Sequence, residues 1–310
     1  TLTALFIHQD VNRISDFECS DENLNSLFRI GIQATWSNLF YMPTDCPTRE
    51  KLGWMNDAQS STEQMLTDFD MEKLLTKWWQ DICDAMREDG MLPGIVPSSG
   101  WGYEWGNGPV SEGTLFEIPY RIYLHTGDDT LLKKGLTYFK KYNRYLQGCK
   151  DAKGDICYGL DDWAPPDNTD KVGAAFINKV FTIKFLRITI LAQRVSGEDP
   201  AETQALLDRE IQEIQNRYLD ETGRCTIHKQ TAVAMLVYNG LYENLAPLSE
   251  QLKELVEEKN FHHDCGMVGL RRLYMALNRC GLQEYAYRII TARGYPSYVS
   301  WLEDGATALY

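Results

Sequence analysis

No window of this 310-residue chain approaches the ~18 consecutive apolar residues of a membrane-crossing helix. Its start, "TLTALFIHQD", also lacks the charged-then-apolar build of a signal peptide. Membrane insertion is therefore not expected. The eight cysteines (Cys19, Cys46, Cys83, Cys149, Cys157, Cys225, Cys265, Cys280) form no C-x-x-C pair and no zinc-spaced cluster, so they read as mostly buried free thiols. Histidines number five, and only His262 and His263, followed by Asp264, stand together, which is too little to assign a metal. No cofactor is expected. A nucleophile elbow, a phosphate-binding G-x-x-x-x-G-K loop and an H-E-x-x-H helix are all missing, which leaves serine-hydrolase, nucleotide and zinc-protease readings without a motif. Basic side chains are outnumbered 31 to 44, and the resulting charge of −13 repels phosphate backbones and anionic lipid. Nucleic acid is excluded as a partner on that ground, and a neutral or cationic ligand fits better.

Strand patterning is nearly absent after residue 20, whereas apolar residues at helical spacing recur along the rest of the chain. After an extended lead-in over 1–20, Ser20, Asp21 and Glu22 predict a helix start, with the helix running to about Phe40. Further helices are predicted over 57–69, from Asp70 to about residue 88, 114–126, 129–149, 174–195, 199–217, 231–241, 248–258, 267–280 and 282–292. Eleven or twelve helices without a clean sequence repeat favour helical hairpins closed into a ring over an open solenoid. The 44% hydrophobic content is ample for such a core. Three irregular stretches rich in aromatic and acidic residues, 44–57, 91–113 and 157–166, are expected to meet at one mouth of the ring.

The densest of these is "TDCPTREKLGWMNDAQ", residues 44–59, where Asp45, Arg49, Glu50 and Asp57 surround Trp54 without helical or strand periodicity. Paired carboxylates protonate a leaving oxygen and activate a water, the usual route to glycosidic cleavage, while ring faces stack on sugars. Any single acid among 44 is more simply a solvated surface group.

This stretch closely resembles the D-C-P-x-R-(x)-E-x-L-G-W-x-x-D-A-Q signature of glycoside hydrolase family 78, the α-L-rhamnosidases. Resemblance continues through "ISDFECSDENLNSLF", "GWGYEWGNGP", "PYRIYLHTGDDTLL", "GLDDW", "KQTAVAMLVYNGL", "HHDCGMVGL" and "YPSYVSWLEDGAT". It implies an all-α (α/α)6 barrel, a six-hairpin toroid spanning 21–310, and inverting cleavage of terminal α-L-rhamnose from plant glycans or glycosides. Glu50 falls on the general acid; Asp45, Arg49 and Asp57 fall on sugar-hydroxyl ligands; Trp54 and Trp163 fall on apolar walls. Trp101 or Trp105 would supply a further wall, and His262 matches the family's turn histidine. Asp45 and Asp57 are expected to raise the pKa of Glu50, opposed by Arg49 and Lys51.

Two departures stand out. The family's base, a glutamate, would fall just past Tyr310, so the chain reads as a barrel cut before its base, with β-domains on both sides. Glu303 sits at a variable position and is not promoted to that role. Ser111 and Glu112 replace the Trp-Asp expected in the long loop, and Glu112 is expected to reach into the mouth and touch the sugar. Another (α/α)6 specificity, including a glycan lyase, and a non-catalytic carbohydrate-binding relative are the competing readings. The resemblance inclines the location to periplasmic or secreted, with the cytoplasm as alternative.

Overall fold

The structure, a computed structural model, describes residues 1–309. Among these residues there are thirteen helices and isolated β-bridges, with no β-strand. In chain order they are α1 (Glu22–Ser37), α2 (Met55–Asp68), α3 (Glu72–Asp84), α4 (Pro109–Glu112), α5 (Thr114–Thr126), α6 (Thr130–Gly148) and α7 (Ala174–Val195). There follow α8 (Ala201–Tyr218), α9 (Gln230–Asn239), α10 (Leu245–Glu258), α11 (Met267–Arg279), α12 (Gln283–Ile290) and α13 (Tyr298–Glu303).

Local chemistry sets many of the boundaries. The Asp21 carboxylate caps α1 by accepting from the Asn23 amide at 2.9 Å, and Asn38 ends that helix earlier than the apolar pattern suggests. Gly127, at φ +76°, supplies the left-handed residue that stops α5. Asp70 is predicted to cap α3, but its amide is bound to the Asn12 carbonyl at 2.9 Å and the helix starts after Met71. The lead-in thus runs alongside the end of α2, held also by Ile14 N–H to the Asp68 carbonyl at 2.9 Å.

Burial separates two rings. Every residue of α9 from Gln230 to Val237 is buried, whereas α8 buries only Leu207, Glu210 and Ile214. Helices α2, α5, α7, α9 and α11 pack in succession, α11 returning to α2, while α3, α6, α8, α10 and α12 lie outside them, and α1 packs with α13. This alternation is the (α/α)6 toroid predicted from the sequence. The short α4 and α13 have no periodicity long enough to be predicted.

At the centre of the inner ring sits a cluster of charges. Glu117 on α5 is fully buried and its two oxygens meet Arg121 Nε at 2.8 Å, Arg271 Nη2 at 2.7 Å and the Lys184 ammonium. Glu63 on α2 joins through Arg121 at 2.6 Å and Arg271 at 3.1 Å, and Tyr238 on α9 stands 3.1 Å from Arg121 Nη2. Burial alone would push the Glu117 carboxyl up, but three cations hold it well below the usual carboxylate range. Breaking a buried pair leaves uncompensated charge, which costs about 3–5 kcal/mol. Glu117→Gln is therefore expected to lower the unfolding free energy measured in urea by that order, whereas Glu63→Gln, at a side chain 41% exposed, should cost far less.

Candidate active site

The 44–54 stretch is closed on itself by Asp45. Its Oδ1 accepts from the Leu52 amide at 2.9 Å while its own amide donates to the Leu52 carbonyl at 3.1 Å. A proline, a thiol accepting from the Glu50 amide at 3.2 Å and Lys51 at φ +56° shape the turn between them. The loop is then sewn to the tryptophan loop. Val96 N–H donates to the Gly53 carbonyl and Met55 N–H to the Gly94 carbonyl, both at 2.9 Å, and Trp78 of α3 donates to Val96 O at 2.9 Å. A Cβ at Gly53 would lie 2.2 Å from Val96 O, so only glycine admits this approach.

The outcome is an aromatic patch around an acid. Trp54, nearly buried, donates its indole N–H to Glu50 Oε2, and the Glu50 side chain otherwise stands in the open. Trp101 and Trp105, about half exposed, cross the Trp54 ring edge-on at 5.7 and 5.2 Å. Trp54 is thus covered by its neighbours, and the ring surface left to solvent belongs to Trp101 and Trp105. Arg49 is exposed and takes part in no ion pair among the described residues, so a purely structural pairing with Asp45 or Glu50 is absent there.

Asp57, in the first turn of α2, shares a pocket of about 560 Å³ with Asp45. Met267 and Arg271 of α11 and Tyr298 of α13 line the same space, contributions that no local sequence pattern announces. Burial first, then the charge of Asp45, push the Asp57 carboxyl from 3.8 to about 7.

The third irregular stretch joins the mouth through a buried lock. Asp162 accepts from Gly266 N–H at 2.9 Å, Gly269 N–H at 3.0 Å and the Thr231 hydroxyl, fixing the loop to the N-terminus of α11. The next residue, Trp163, is tied by its carbonyl to Met267 N–H at 2.9 Å and leaves its ring 43% exposed.

Two expected contacts find other surroundings. Glu112 has no solvent access: it lies in α4 with Oε2 accepting from the Tyr142 hydroxyl, and burial raises it to about 7. Its neighbour Ser111, also enclosed, donates to the Gly106 carbonyl at 2.8 Å. The pair therefore supports the long loop from behind, and the expected sugar contact of Glu112 is corrected to a structural one. The His262 ring nitrogens face the carbonyls of Asn260 at 3.0 Å and Arg293 at 3.1 Å, so neither points free into the mouth. His263 turns inward instead, beside the Tyr298 ring at 6.1 Å. Glu303 pairs with Arg293 at the surface.

This geometry has counterparts among known proteins. Alpha-L-rhamnosidases of Formosa agariphila and Streptomyces avermitilis are 26% and 27% identical over 99% and 100% of the chain, which spans 35% and 30% of their lengths. The chain thus covers about a third of the relatives it matches. Among solved structures, an alpha-L-rhamnosidase from Dictyoglumus thermophilum superposes with TM-score 0.91 at 26% identity, over 97% of this chain and 35% of that one. The Streptomyces avermitilis alpha-L-rhamnosidase complexed with L-rhamnose shares the fold at TM-score 0.92 and 24% identity, over 97% and 29%. Residues 12–310, and with them every loop that meets at the mouth, match the model of the bacterial alpha-L-rhamnosidase six-hairpin glycosidase domain, and the chain belongs to that family.

Proposed function

We propose that this domain is the catalytic unit of an inverting α-L-rhamnosidase that releases terminal rhamnose from glycans or glycosides, with Glu50 as the general acid. The observation that carries the reading is the Trp54 indole N–H on Glu50 Oε2, which fixes one carboxyl oxygen of an otherwise exposed acid whose tryptophan partner is flanked by the exposed Trp101 and Trp105. In the reaction the Glu50 proton passes to the glycosidic oxygen as its bond to the anomeric carbon breaks, and a water adds from the opposite ring face. Inversion needs a second carboxylate across that water; the residues assigned here supply the acid half.

The neighbours suit a neutral deoxy sugar. Asp45 keeps Oδ2 available after Oδ1 has bound the Leu52 amide, so it can accept from a ring hydroxyl. Asp57, neutral below about pH 7, can donate as well as accept, and Arg49 offers donors from the rim. Trp163 and the Trp101–Trp105 pair provide apolar faces for ring carbons and the C6 methyl, while a net charge of −13 disfavours a uronic acid.

Glu50→Gln is expected to lower kcat on a chromogenic aryl α-L-rhamnoside at least ~100-fold, the usual contribution of a general acid, with rhamnose binding retained. Equal turnover by the variant would remove Glu50 from the chemistry, and binding without turnover by the wild type would favour a carbohydrate-binding relative. A second expectation concerns pH. Because the folded-state pKa of Asp57 lies above its ordinary value, its burial favours folding below about pH 4, and that stabilisation is lost as pH rises through 7. Asp57→Asn should therefore gain on the wild type by up to about 4 kcal/mol between pH 4 and 8 in urea unfolding. Glu112, raised in the same direction, leaves a residual slope in the variant.

A further inference from the structure

Glu112 has no part in the chemistry above, yet its setting is unlike that of an ordinary supporting residue. It is fully enclosed on α4, with Oε2 on the Tyr142 hydroxyl, and Oε1 accepts no hydrogen bond. Of the charged groups on the helices packed against α4, Asp57 shares the mouth pocket with Asp45, Lys179 pairs with Glu210 and Glu213, and Glu63, Glu117, Arg121 and Lys184 make up the central cluster. None of them is left to neutralise Glu112. What faces it are the hydroxyls of Tyr142 and Tyr145 on α6 and of Tyr158 in the loop that follows, each held above its ordinary range by burial and therefore neutral. Burial raises the Glu112 carboxyl to about 7, against the Tyr142 hydroxyl and the dipole of the Gly108 N–H, which favour its charge.

The turn that carries Glu112 touches Trp54 from two sides. Ser111 donates to the Gly106 carbonyl at 2.8 Å, and Gly106 lies so close to Trp54 that a Cβ there would stand 2.1 Å from the ring carbon Cζ3. Two residues past Glu112, Thr114 donates to the carbonyl of Met55, the residue after Trp54, at 2.6 Å and to the Ser111 carbonyl at 2.9 Å. The Trp54 indole in turn donates to Glu50. A continuous set of contacts therefore runs from Glu112 through its turn to the indole on Glu50. With four residues, α4 is too short to hold itself, so its place depends on what its side chains bind.

From this, and resting on Glu50 being the acid, we propose that Glu112 is a positioning residue that works as a proton-controlled latch on the Trp54–Glu50 pair. Neutral, it stays enclosed on Tyr142 and keeps the α4 turn closed against Trp54. Ionised, it meets no cation inside, and an enclosed charge without a partner is costly, so the turn opens until the carboxylate reaches water. Opening withdraws Gly106 and Thr114 from either side of Trp54, and the indole no longer holds Glu50 in one place. The neutral form prevails below about pH 7, so the latch is closed on the acidic side and released on the alkaline side.

The test follows hydrogen exchange of the 106–114 amides, and turnover of a chromogenic aryl α-L-rhamnoside, across neutral pH in full-length wild type, Glu112→Gln and Tyr142→Phe. Protection of these amides, corrected for the intrinsic rise of exchange with pH, is expected to fall at least about fivefold above pH 7 in the wild type and to persist in Glu112→Gln. The ratio of kcat in Glu112→Gln to that in the wild type is expected to rise about tenfold between pH 6 and 8, because one ionisation near 7 leaves about a tenth of the wild type latched at pH 8. Titration of Glu50 and Asp57 is common to both proteins and cancels in that ratio. Tyr142→Phe loses the donor that favours the charge, so its transition should move to higher pH, which a merely structural contact would not produce. Parallel pH profiles with equal protection overturn the latch. An exchange transition with a flat kcat ratio overturns the link to Glu50. If the wild type turns over no rhamnoside, the catalytic reading falls and exchange alone decides: a transition absent from Glu112→Gln still supports the latch, and equal protection overturns it.

Discussion

Glu117 is the point on which the ring depends. One fully buried carboxylate on α5 binds cations from α5, α7 and α11, and through Arg121 and Arg271 it reaches Glu63 on α2 and Tyr238 on α9. Burying such charges is itself costly, and a packed apolar centre of equal volume can be as stable. What the cluster adds is definition, because apolar helix faces can slide past one another by a turn while hydrogen-bonded charges cannot. Arg271 carries that definition to the mouth: its Nη1 donates to the Gln59 carbonyl at 2.6 Å, two residues beyond Asp57. The first turn of α2, and the loop leading into it, are thus referenced to the centre of the barrel.

From that reference outward, each loop at the mouth is fixed by a different device. The 44–54 stretch is closed by a carboxylate and paired with 94–96; the tryptophan loop is propped by Ser111 and Glu112; the Trp163 loop is held by Asp162 at the start of α11. Each loop combines local closure with at least one hydrogen bond to a distant part of the chain, Gly53 with Val96, Glu112 with Tyr142 and Asp162 with Gly266, which is how loops without regular structure hold side chains in one place.

Much of this was legible in the sequence. Helical spacing placed the long helices to within a few residues, because inner and outer helices alike carry a continuous apolar face. The density of acids around Trp54 marked the mouth for the same reason that it resists any regular element. Glu117 was not legible: inside "TLFEIPYRIYLHT" it reads as one polar position on an amphipathic helix beside Arg121, and its other two partners are 67 and 154 residues away. Glu112 was misread because a carboxylate in a glycine-rich loop is ordinarily exposed, whereas here Pro109 starts a single turn that carries it inward to Tyr142. His262 and His263 are adjacent, and sequence alone does not say which of the two faces inward.

The paired loops at the mouth also divide the site into positions open and closed to change. Gly53, Gly94 and Gly106 stand where a single added methyl would overlap Val96 O, Gly106 O or the Trp54 ring, while at the tip Gly100 and Gly102 meet nothing within 4 Å, so there only their left-handed backbone, at φ +86° and +69°, favours glycine and the side chains beside them are unconfined. Divergence between members of such a family, or a library built to alter what they accept, has room at the tip of this loop and almost none at its base. The acid and its tryptophan can therefore persist unchanged while the surface a few residues away is rewritten.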